Sequence, residues 1–367
     1  MSERWILQFC HCHYGPFLDV ARQYAALFKD SPYKVLTVYL TGEPTEAAKN
    51  DGASDEVIFL GFSSKAVAGL KLAAIRALRK ITASRDFALV IAHRAKPIYV
   101  ACLATKLPVI GVHHSFGDFH RASRRWFVNR FSQRLSLLGV SDAVRDDMRR
   151  YLPNWPADRI ETLHNRIDVE ASQRGILARK DARTALNLPQ DAKIIGNVGR
   201  LHPDKDQKTL LAGFAQALPH LPPGTLLAIA GSGRLESDLR TQAQASGIAE
   251  RVVFLGQVPE IRRLFAAFDL FVLSSDHEPF GMVLLEAMAA NVPIMATDCG
   301  GAPEIVADGN ALFPLGDSRT LAEKLIAFFS TPPTGEPPLD RLKEGFSDEA
   351  ARRRFFALPM AQRALGS

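Results

Sequence analysis

The sequence predicts an α/β protein with two doubly wound domains. Continuous apolar segments of strand length alternate with helical segments through both halves of the chain, as buried parallel strands and their crossover helices do. At 367 residues the chain is too long for one ordinary core, and 47% apolar with 23% charged residues is typical of a globular protein. We therefore expect one parallel sheet in each half.

In the first half, strands are predicted where apolar residues run continuously. The predicted strands are Trp5–Cys10, Lys34–Tyr39, Phe87–Ala92, Val109–His113 and Leu135–Val140. After the first strand we expect a loop over residues 11–19 and a helix over Val20–Phe28. Lys65–Ile81 has helical periodicity with one basic face.

The second half repeats this alternation. Its predicted strands are Lys193–Val198, Leu226–Ala230, Val252–Leu255, Leu270–Leu273 and Pro293–Ala296, with helices that begin near Lys208, Arg234, Glu260 and Met282. Four prolines within residues 332–338 predict the end of the second domain's compact part. The capping pattern Ser347-Asp348-Glu349 then predicts a terminal helix over Ala350–Ala357.

The positive charge of the chain lies in its first half. Residues 1–170 hold 24 Lys and Arg against 17 Asp and Glu, while the remainder holds 21 against 22. Lys65–Ile81 and Arg121–Leu135 concentrate this charge, and the second segment packs five arginines around Trp126, Phe127 and Phe131. Basic helices with aromatics suit an anionic membrane surface or a phosphorylated lipid acceptor, although a solvated helix face explains them equally well. Nucleic acid is a poorer interpretation, because no nucleic-acid-binding module accompanies the charge.

The chain carries none of the usual targeting patterns. No apolar run approaches the roughly 18 residues that span a membrane, and the start of the chain lacks the features of a signal peptide. Four cysteines are scattered without a disulfide framework, which favours a reducing compartment. We expect a cytoplasmic protein with peripheral contact to the cytoplasmic face of the inner membrane.

The most informative stretch runs from Ser274 to Met288. It places Glu278 and Glu286 eight residues apart across the turn Pro279-Phe280-Gly281. A predicted strand precedes Glu278 and a predicted helix carries Glu286, so the pair belongs at the carboxyl edge of a sheet, where ligands bind. Carboxylates there can accept hydrogen bonds from sugar hydroxyls, and the N–H groups of the helix N-terminus can bind phosphate. A lone pair of glutamates at this spacing is more often a pair of solvated surface residues.

This stretch resembles the E-x7-E signature of retaining glycosyltransferases with the GT-B fold, family 4. The resemblance implies two Rossmann-like domains that face each other across a cleft. The first, residues 1–170, would bind the acceptor, and the second, residues 171–340, would bind a nucleotide sugar. Residues 341–367 would form a helix that crosses back to the first domain.

Gly199-Arg200-Leu201, followed by Lys205, resembles the family's G-R-L…K segment. The resemblance implies that Arg200 and Lys205 clamp the donor diphosphate, and two cations there would neutralise the leaving group as its charge grows. Asp204-Lys205-Asp206 has the D-x-D form of metal–nucleotide sites in a different transferase fold. We interpret that form as chance, so we expect no metal and no cofactor besides the nucleotide-sugar co-substrate.

Further segments of the second half also match the family. The resemblance implies that Glu278 holds hydroxyls of the donor sugar and that Glu286 holds the ribose hydroxyls. Cys299–Glu304 matches the family's G-G-x-x-E loop. Asn291 stands where the family commonly has Gly, and Asn tolerates left-handed backbone. The full set of implied donor-site residues is Gly15, Gly199, Arg200, Lys205, Gly231, Gly256, Val258, Glu278, Phe280, Gly281, Met282 and Glu286.

The first half matches the family more weakly. His113 ends a predicted strand and resembles the family's histidine near the donor sugar, with His114 as the alternative and a buried core histidine as the plain interpretation. The loop after the first strand has one glycine, Gly15, where the family usually has two. Cys10–His13 is too tightly spaced for the usual tetrahedral zinc patterns. Arg166 replaces the Gly of the family's N-G-x-D segment, which puts the local turn in question.

The resemblance implies retaining, metal-independent transfer of a sugar from a nucleotide-diphosphate donor, with a UDP-sugar favoured. The expected acceptor is an anionic, lipid-linked or cell-surface glycan such as lipopolysaccharide core. Glu278, His113, Arg200 and Lys205 are the predicted catalytic residues. Two alternatives remain: a sugar-nucleotide epimerase on the same fold, and a non-catalytic scaffold that binds sugar nucleotides. An oxidoreductase is disfavoured, because no G-x-G-x-x-G follows the first strand.

Overall fold

The computed structural model describes residues 3–14, 16–50, 52–306, 308–331 and 336–366. The chain divides into two compact units, each with its own parallel sheet. Unit 1 comprises Met1–Arg166 with Asp348–Ser367, and unit 2 comprises Ile167–Ser347. The predicted fold class, two Rossmann-like α/β domains with a terminal segment that returns to the first, is confirmed.

Unit 1 has a seven-stranded sheet with the order β3-β2-β1-β4-β5-β6-β7. Its strands are β1 (Arg4–Cys10), β2 (Tyr33–Tyr39), β3 (Glu56–Phe59), β4 (Phe87–His93), β5 (Val109–His113), β6 (Leu135–Gly139) and β7 (Ile160–Thr162). Its connecting helices are α1 (Pro16–Ala26), α2 (Glu46–Asn50), α3 (Leu72–Thr82), α4 (Ala95–Ala104), α5 (Ala122–Arg130) and α6 (Asp142–Tyr151). Every residue of β4 is buried, as expected for a central strand with both faces covered.

Unit 2 has a six-stranded sheet with the order β10-β9-β8-β11-β12-β13. The helices before, between and after its strands are α7 (Val169–Gly175), α8 (Arg179–Ala185), α9 (Gln207–Ala217), α10 (Glu236–Ala245), α11 (Met282–Ala289), α12 (Ala302–Ile305), α13 (Ser318–Ser330) and α14 (Pro338–Gly345). Its strands are β8 (Ile194–Val198), β9 (Leu226–Ala230), β10 (Val252–Gly256), β11 (Leu270–Leu273), β12 (Ile294–Thr297) and β13 (Leu312–Phe313). The chain winds outward from β8 to β10 and then returns to β11 on the other side of β8. The connections after β8 and β11 therefore diverge, which leaves the crevice where open α/β sheets bind ligands.

Every predicted strand is present, and the ends agree to within one residue. The sequence missed β3, β7 and β13, which are two to four residues long and lie at sheet edges. Edge strands are short and partly exposed, so they lack the continuous apolar run that marks a central strand.

The helix predictions were less accurate at their ends. The helix expected near Glu260 is wrong, because residues 261–263 and 265–267 form two short 3-10 turns and Glu260 has a φ of 50°. α1 begins at Pro16, inside the predicted loop, and α3 begins only at Leu72. Asn291 follows α11 with a φ of 54°, the left-handed conformation that its tolerance allows. Gly15 and part of the predicted proline-rich break, Pro332–Gly335, lie outside the described residues.

A buried ion pair joins the helix α8 to the amino-terminal end of β11. Arg183 is fully buried, and its Nη2 donates to Asp269 Oδ2 at 2.9 Å. The same carboxylate oxygen accepts from the backbone N–H of Ile194 at 2.7 Å, where β8 begins. A buried charge is tolerated only when it is paired and hydrogen-bonded. This network therefore fixes the edge of unit 2 that lies opposite the strands' carboxyl ends.

The chain returns to unit 1 through two helices, α15 (Asp348–Ala357) and α16 (Pro359–Leu365), where one was predicted. Arg166 is 1% exposed, and its Nε donates to Asp348 Oδ1 at 3.0 Å. Arg22 Nη1, from α1, donates to the other oxygen of Asp348 at 2.7 Å. The ring of Phe355 packs 5.6 Å from that of Phe28. The arginine at position 166, unexpected from the family pattern, therefore fastens the returning helices to unit 1.

We predict that Arg166→Ala lowers the free energy of unfolding by about 2–3 kcal/mol, measured by urea denaturation. Breaking a fully buried pair costs about 3–5 kcal/mol. The cost is smaller here because Asp348 is 23% exposed and keeps Arg22 as a partner. The control is Arg319→Ala, which removes an exposed ion pair with Glu323 and should cost less than about 0.5 kcal/mol. Equal losses in the two variants would contradict the assigned role of Arg166.

Candidate functional site

Two loops at the carboxyl ends of β8 and β11 carry the main predicted donor residues. β8 leads through Gly199 and Arg200 into a short 3-10 turn, Pro203–Lys205, and β11 leads through Ser274–Gly281 into α11. The backbone N–H of Asp276 donates to the Asp204 carbonyl at 3.1 Å, and Ser274 Oγ donates to the Lys205 carbonyl at 2.8 Å. These bonds hold the two loops together although 69 residues separate Ser274 from Lys205 in the chain.

Lys205 and Glu278 form an ion pair between these loops. Lys205 Nζ lies 2.8 Å from Glu278 Oε2, and Ser275 Oγ lies 3.3 Å from each of these two atoms. The side chains are only 20% and 12% exposed, so water screens their interaction weakly. A cation and a carboxylate therefore lie side by side at the point where the winding of the sheet reverses. The cation can bind a phosphate there, and the carboxylate can accept a hydrogen bond from a hydroxyl group.

Arg200 is the exposed cation of the same loop. Its side chain is 69% exposed, and its Nη2 donates to Asp204 Oδ2 at 3.1 Å. The other oxygen of Asp204 pairs with His202 Nδ1. Burial alone would raise the pKa of Asp204, but the His202 hydrogen bond and the charges of Lys205 and Arg200 lower it below its ordinary value. Asp204 therefore stays ionised and directs Arg200 along the loop.

The two aspartates of the D-x-D pattern both have contacts within the protein. Asp204 engages Arg200 and His202. Asp206 is the N-cap of α9, with a φ of 40° and a carboxylate oxygen that accepts from Thr209 N at 3.4 Å. Capping and ion pairing account for these residue types without a metal ion.

The helix α11 begins directly after the Glu278 loop. Gly281 is its N-cap residue, with a φ of 105°, and no side chain of the described residues caps the helix. Leu284 N already donates to the Gly281 carbonyl at 2.9 Å, so the N–H groups of Met282 and Val283 are the ones at this end that can bind an anion. Glu286 is the fifth residue of the helix and is half-buried. Phe280 is buried, and its ring lies 5.9 Å from that of Phe346 in the same unit, which anchors the loop.

Two glycines let neighbouring loops approach this edge closely. A Cβ at Gly300, which has a φ of 60°, would overlap the carbonyl oxygen of Glu278, and Gly301 N donates to that oxygen at 2.9 Å. Gly231 has a φ of 141°, and a Cβ there would overlap the carbonyl oxygen of Gly199. The connections after β9 and β12 are thus packed against those after β8 and β11, where only glycine fits.

The connection after β10 reaches the same edge. The carbonyl of Gly256 accepts a hydrogen bond from Gly231 N at 2.7 Å, and Gly256 has a φ of 65°. Val258 follows two residues later and is half-buried. All the predicted donor residues of the second half therefore lie on the carboxyl-edge loops of unit 2 or in the first turns of α11.

Unit 1 carries the remaining predicted residues, His113 and Gly15, and Gly15 is outside the described part of the chain. His113 ends β5 and is 2% exposed. Its Nδ1 lies 2.6 Å from Asp118 Oδ2, and among the described residues its buried Nε2 has no hydrogen-bond partner. Sequence reasoning missed Asp118; an aspartate five residues after a strand-ending histidine was the available clue.

His114, the alternative to His113, has a different environment. Its Nε2 lies 3.3 Å from Nδ1 of His93, the last residue of β4. Burial lowers the pKa of His93 to about 3, and desolvation with the neighbouring His93 and Arg94 lowers that of His114 well below its ordinary value. The two imidazoles therefore stay neutral at physiological pH and bind each other.

The predicted basic segments of unit 1 form a surface of mixed character, here called the α3–α5 surface. Leu70, Leu72 and Trp126 are 68%, 54% and 71% exposed. Lys71 Nζ lies 4.7 Å from the Tyr99 ring centroid, and that ring lies 4.8 Å from Phe127. This chain of contacts links the start of α3 to α5 through α4. The surface also carries five exposed basic side chains: Arg76, Arg79, Lys80, Arg121 and Arg130.

Not all the arginines expected on this surface are free to meet a ligand. Arg124 donates to Asp118, Arg125 donates to the carbonyls of Phe119 and His120, and Arg134 donates to the carbonyl of Leu107. Three of the five arginines that the sequence places around Trp126, Phe127 and Phe131 therefore bind within the protein. Within the described ranges, no helix has both the length and the hydropathy needed to cross a bilayer.

Two family models match the chain, one in each half. Residues 178–344 match "Glycosyl transferases group 1", and residues 19–171 match "Glycosyltransferase Family 4". Each half of the chain is therefore similar to a family of glycosyltransferases. Together the two matches cover most of the chain, and the first contains every donor-site residue described above in unit 2.

Curated relatives are similar to part of the chain. The D-inositol 3-phosphate glycosyltransferase of Mycobacterium marinum is 37% identical over 173 residues, 45% of this chain and 36% of that protein. The lipopolysaccharide core biosynthesis mannosyltransferase LpsB of Rhizobium meliloti is 29% identical over 198 residues, 52% of this chain and 54% of that protein. The match thus spans between about a third and a half of these relatives' length.

Solved structures of similar fold cover the whole chain. A glycosyltransferase from Rickettsia africae has a TM-score of 0.78 at 14% identity, covering 100% of this chain and 99% of that one. Anabaena HepE in complex with UDP-glucose has a TM-score of 0.73 at 19% identity, covering 99% and 100%. At these identities the likeness shows the fold alone.

We predict that Gly300→Ala lowers the free energy of unfolding by about 1–3 kcal/mol, because the new Cβ overlaps the Glu278 carbonyl and the backbone is strained. The matched control is Gly309→Ala in the same unit, where a Cβ meets no atom within 4 Å. Urea denaturation of both variants tests this, and similar losses would show that loop contact at Gly300 is unimportant.

Proposed function

We propose that the protein is a retaining, metal-independent glycosyltransferase that uses a nucleotide-diphosphate sugar, with a UDP-sugar favoured. The proposed acceptor is an anionic, lipid-linked or cell-surface glycan such as lipopolysaccharide core. The observation that carries this proposal is the Lys205–Glu278 ion pair beside Arg200, at the reversal between β8 and β11. This arrangement brings two kinds of group to one sheet edge. The cations can compensate the charge of a diphosphate, and the carboxylate can accept hydrogen bonds from sugar hydroxyls.

The diphosphate would be held by three positive elements. Arg200 and Lys205 supply two cations, and the uncapped N-terminus of α11 supplies N–H groups and the positive end of the helix dipole. Such fixed charges stabilise the negative charge that grows on the leaving diphosphate, and they need no reorganisation during reaction. They also provide the positive charge that a metal ion supplies elsewhere, which supports metal independence.

The two glutamates would orient the donor rather than attack it. Glu278, held by Lys205 and Ser275, would accept hydrogen bonds from hydroxyls of the donor sugar. Glu286 would accept hydrogen bonds from the ribose hydroxyls. We propose front-face attack, in which an oxygen of the leaving phosphate takes the acceptor's proton and the configuration at the anomeric carbon is kept. His113 would accept a hydrogen bond from a sugar hydroxyl during transfer.

The names of relatives support the substrate classes. HepE structures contain UDP, UDP with glucose, or UDP-glucose, which favours a UDP-sugar. The curated relatives are named for an inositol phosphate and for lipopolysaccharide core, which are anionic molecules. The excess of basic residues in the first half of this chain suits an anionic acceptor.

We predict that Glu278→Ala lowers the rate of sugar transfer by about 100-fold or more, because the donor sugar loses its orienting carboxylate. Donor and acceptor would first be identified by a thermal-shift screen of sugar nucleotides, since a ligand of the native state raises stability. UDP affinity, measured by calorimetry, should change far less than turnover. The control is Glu323→Ala, an exposed glutamate on α13, which should leave transfer unchanged.

The same assay separates the alternatives. Full turnover by Glu278→Ala would refute its role, and loss of transfer on addition of a chelator would refute metal independence. Conversion of the donor without acceptor would indicate an epimerase. Binding of sugar nucleotides without any conversion would indicate a scaffold. An inverted anomeric configuration in the product, observed by proton NMR, would refute retention.

We also propose that unit 1 contacts the cytoplasmic membrane face peripherally through the α3–α5 surface, where a lipid-linked acceptor would be found. Exposed Leu70, Leu72 and Trp126 can enter the interface while neighbouring basic side chains meet anionic headgroups. Exposed apolar side chains bordered by cations are the combination that such binding requires.

We predict that the protein co-sediments with vesicles containing phosphatidylglycerol, but not with pure phosphatidylcholine, and that added salt weakens binding. The double substitution Leu72→Ser with Trp126→Ser should reduce binding by about tenfold or more, since each removes buried apolar contact worth about 1–2 kcal/mol. The control is Leu315→Ser, an exposed leucine of unit 2. Equal binding by all variants would contradict the assigned surface.

A further inference from the structure

The His113 imidazole belongs to a hydrogen-bonded row of three side chains in unit 1. Asp118 Oδ2 lies 2.6 Å from His113 Nδ1. The other oxygen of Asp118, Oδ1, accepts from Arg124 Nη1 at 2.6 Å. The ring of Phe119 packs 5.0 Å from the imidazole and restricts its movement. The row ends at His113 Nε2, which is buried and has no partner among the described residues.

The position of the proton in this row follows from its partners. An ionised carboxylate can only accept hydrogen bonds, so Nδ1 of His113 must carry a hydrogen and donate it to Asp118. In neutral imidazole the other nitrogen then has a lone pair. In the neutral imidazole Nε2 is therefore a buried acceptor atom, and among the described residues it has no hydrogen-bond partner.

We propose that Asp118 is a positioning residue that holds His113 as the Nδ1–H tautomer, so that Nε2 accepts a hydrogen bond from a sugar hydroxyl. This inference rests on the proposed transfer reaction for its ligand, but its structural part concerns the apo protein alone. Asp118 acts through His113 and does not touch the sugar.

The electrostatic surroundings keep Asp118 in the form that this role requires. Burial alone would raise the pKa of Asp118, but the His113 hydrogen bond and the charges of Arg124 and Arg94 lower it below its ordinary value. The neighbouring His93–His114 pair has no carboxylate partner among the contacts described here. There the imidazoles bind each other, and burial and desolvation lower both pKa values. Of these histidines, His113 has the carboxylate partner that fixes its tautomer.

The tautomer can be observed directly. Two-dimensional long-range 1H–15N NMR distinguishes the two neutral tautomers of a histidine, and His113→Gln assigns the signals. We expect the Nδ1–H pattern for His113 in the wild-type protein without ligand. The Nε2–H pattern there would overturn the proposal whether or not the protein transfers sugars, and failure of the proposed function would leave this result unaffected.

The substitution Asp118→Asn should reverse the tautomer. Arg124 donates to the Oδ1 position, so the Asn carbonyl oxygen would face Arg124 and its NH2 group would face His113. Nδ1 must then accept, and the proton moves to Nε2, which can no longer accept from a sugar hydroxyl. With a working donor and acceptor, turnover should fall by about 100-fold or more, with a smaller change in donor KM.

A second substitution tests the cause. In Asp118→Asn with Arg124→Ala, the amide is free to turn its oxygen toward His113, so the Nδ1–H tautomer and part of the turnover should return. Arg124→Ala alone should keep the Nδ1–H tautomer, because Asp118 still can only accept. The matched control is Asp147→Asn, since Asp147 accepts from Gly117 N at 2.8 Å and lies 3.9 Å from His120, not His113. A wild-type tautomer and turnover in Asp118→Asn, or no recovery in the double variant, would overturn the proposal.

Discussion

The reversal of winding between β8 and β11 is the constraint on which the candidate donor site depends. These two strands are neighbours in the sheet of unit 2, yet β9 and β10 intervene between them in the chain. Because both strands are parallel, their following loops meet at one edge, and because their crossovers diverge, no helix fills the space between. Arg200 and Lys205 come from one loop and Glu278 from the other. Neither loop alone would bring a lysine and a glutamate within 2.8 Å.

Three ion pairs of low exposure differ in whether a ligand can contact them. Arg183–Asp269 and Arg166–Asp348 each place a fully buried guanidinium against a carboxylate, and the backbone carbonyls of Ala267 and Gln23 accept further hydrogen bonds from the two guanidinium groups. Removing either arginine would take away the buried cation of its pair, although Asp348 would keep Arg22 and Asp269 would keep Arg179. Lys205–Glu278 is different, because both side chains keep some exposure at the carboxyl edge of the sheet, where the candidate site lies. A ligand can therefore contact this pair, whereas the other two serve the fold.

The sequence predicted the fold class and the central strands because buried parallel strands are continuous apolar runs between helices. It also placed Lys205 and Glu278 at the carboxyl edge of the sheet, since each follows such a run, while their donor-binding roles, implied by the family resemblance, stay predictions. It could not predict β3, β7 and β13, because edge strands of two to four residues leave no long apolar run to mark them in the sequence. Asp118 was missed for a similar reason: its contact with His113 is set by the loop conformation between β5 and α5, which no periodicity encodes.

The position of α15 and α16 has a consequence for how the protein is made. Unit 2 is one continuous stretch of chain, but unit 1 needs Asp348 and Phe355, which the ribosome produces only after all of unit 2. The unit that is synthesised first is therefore the last to be completed. Until then Arg166 has no Asp348 to bind, and the apolar surface around Phe28 has no cover. During synthesis, that surface is where a chaperone would have the longest opportunity to bind.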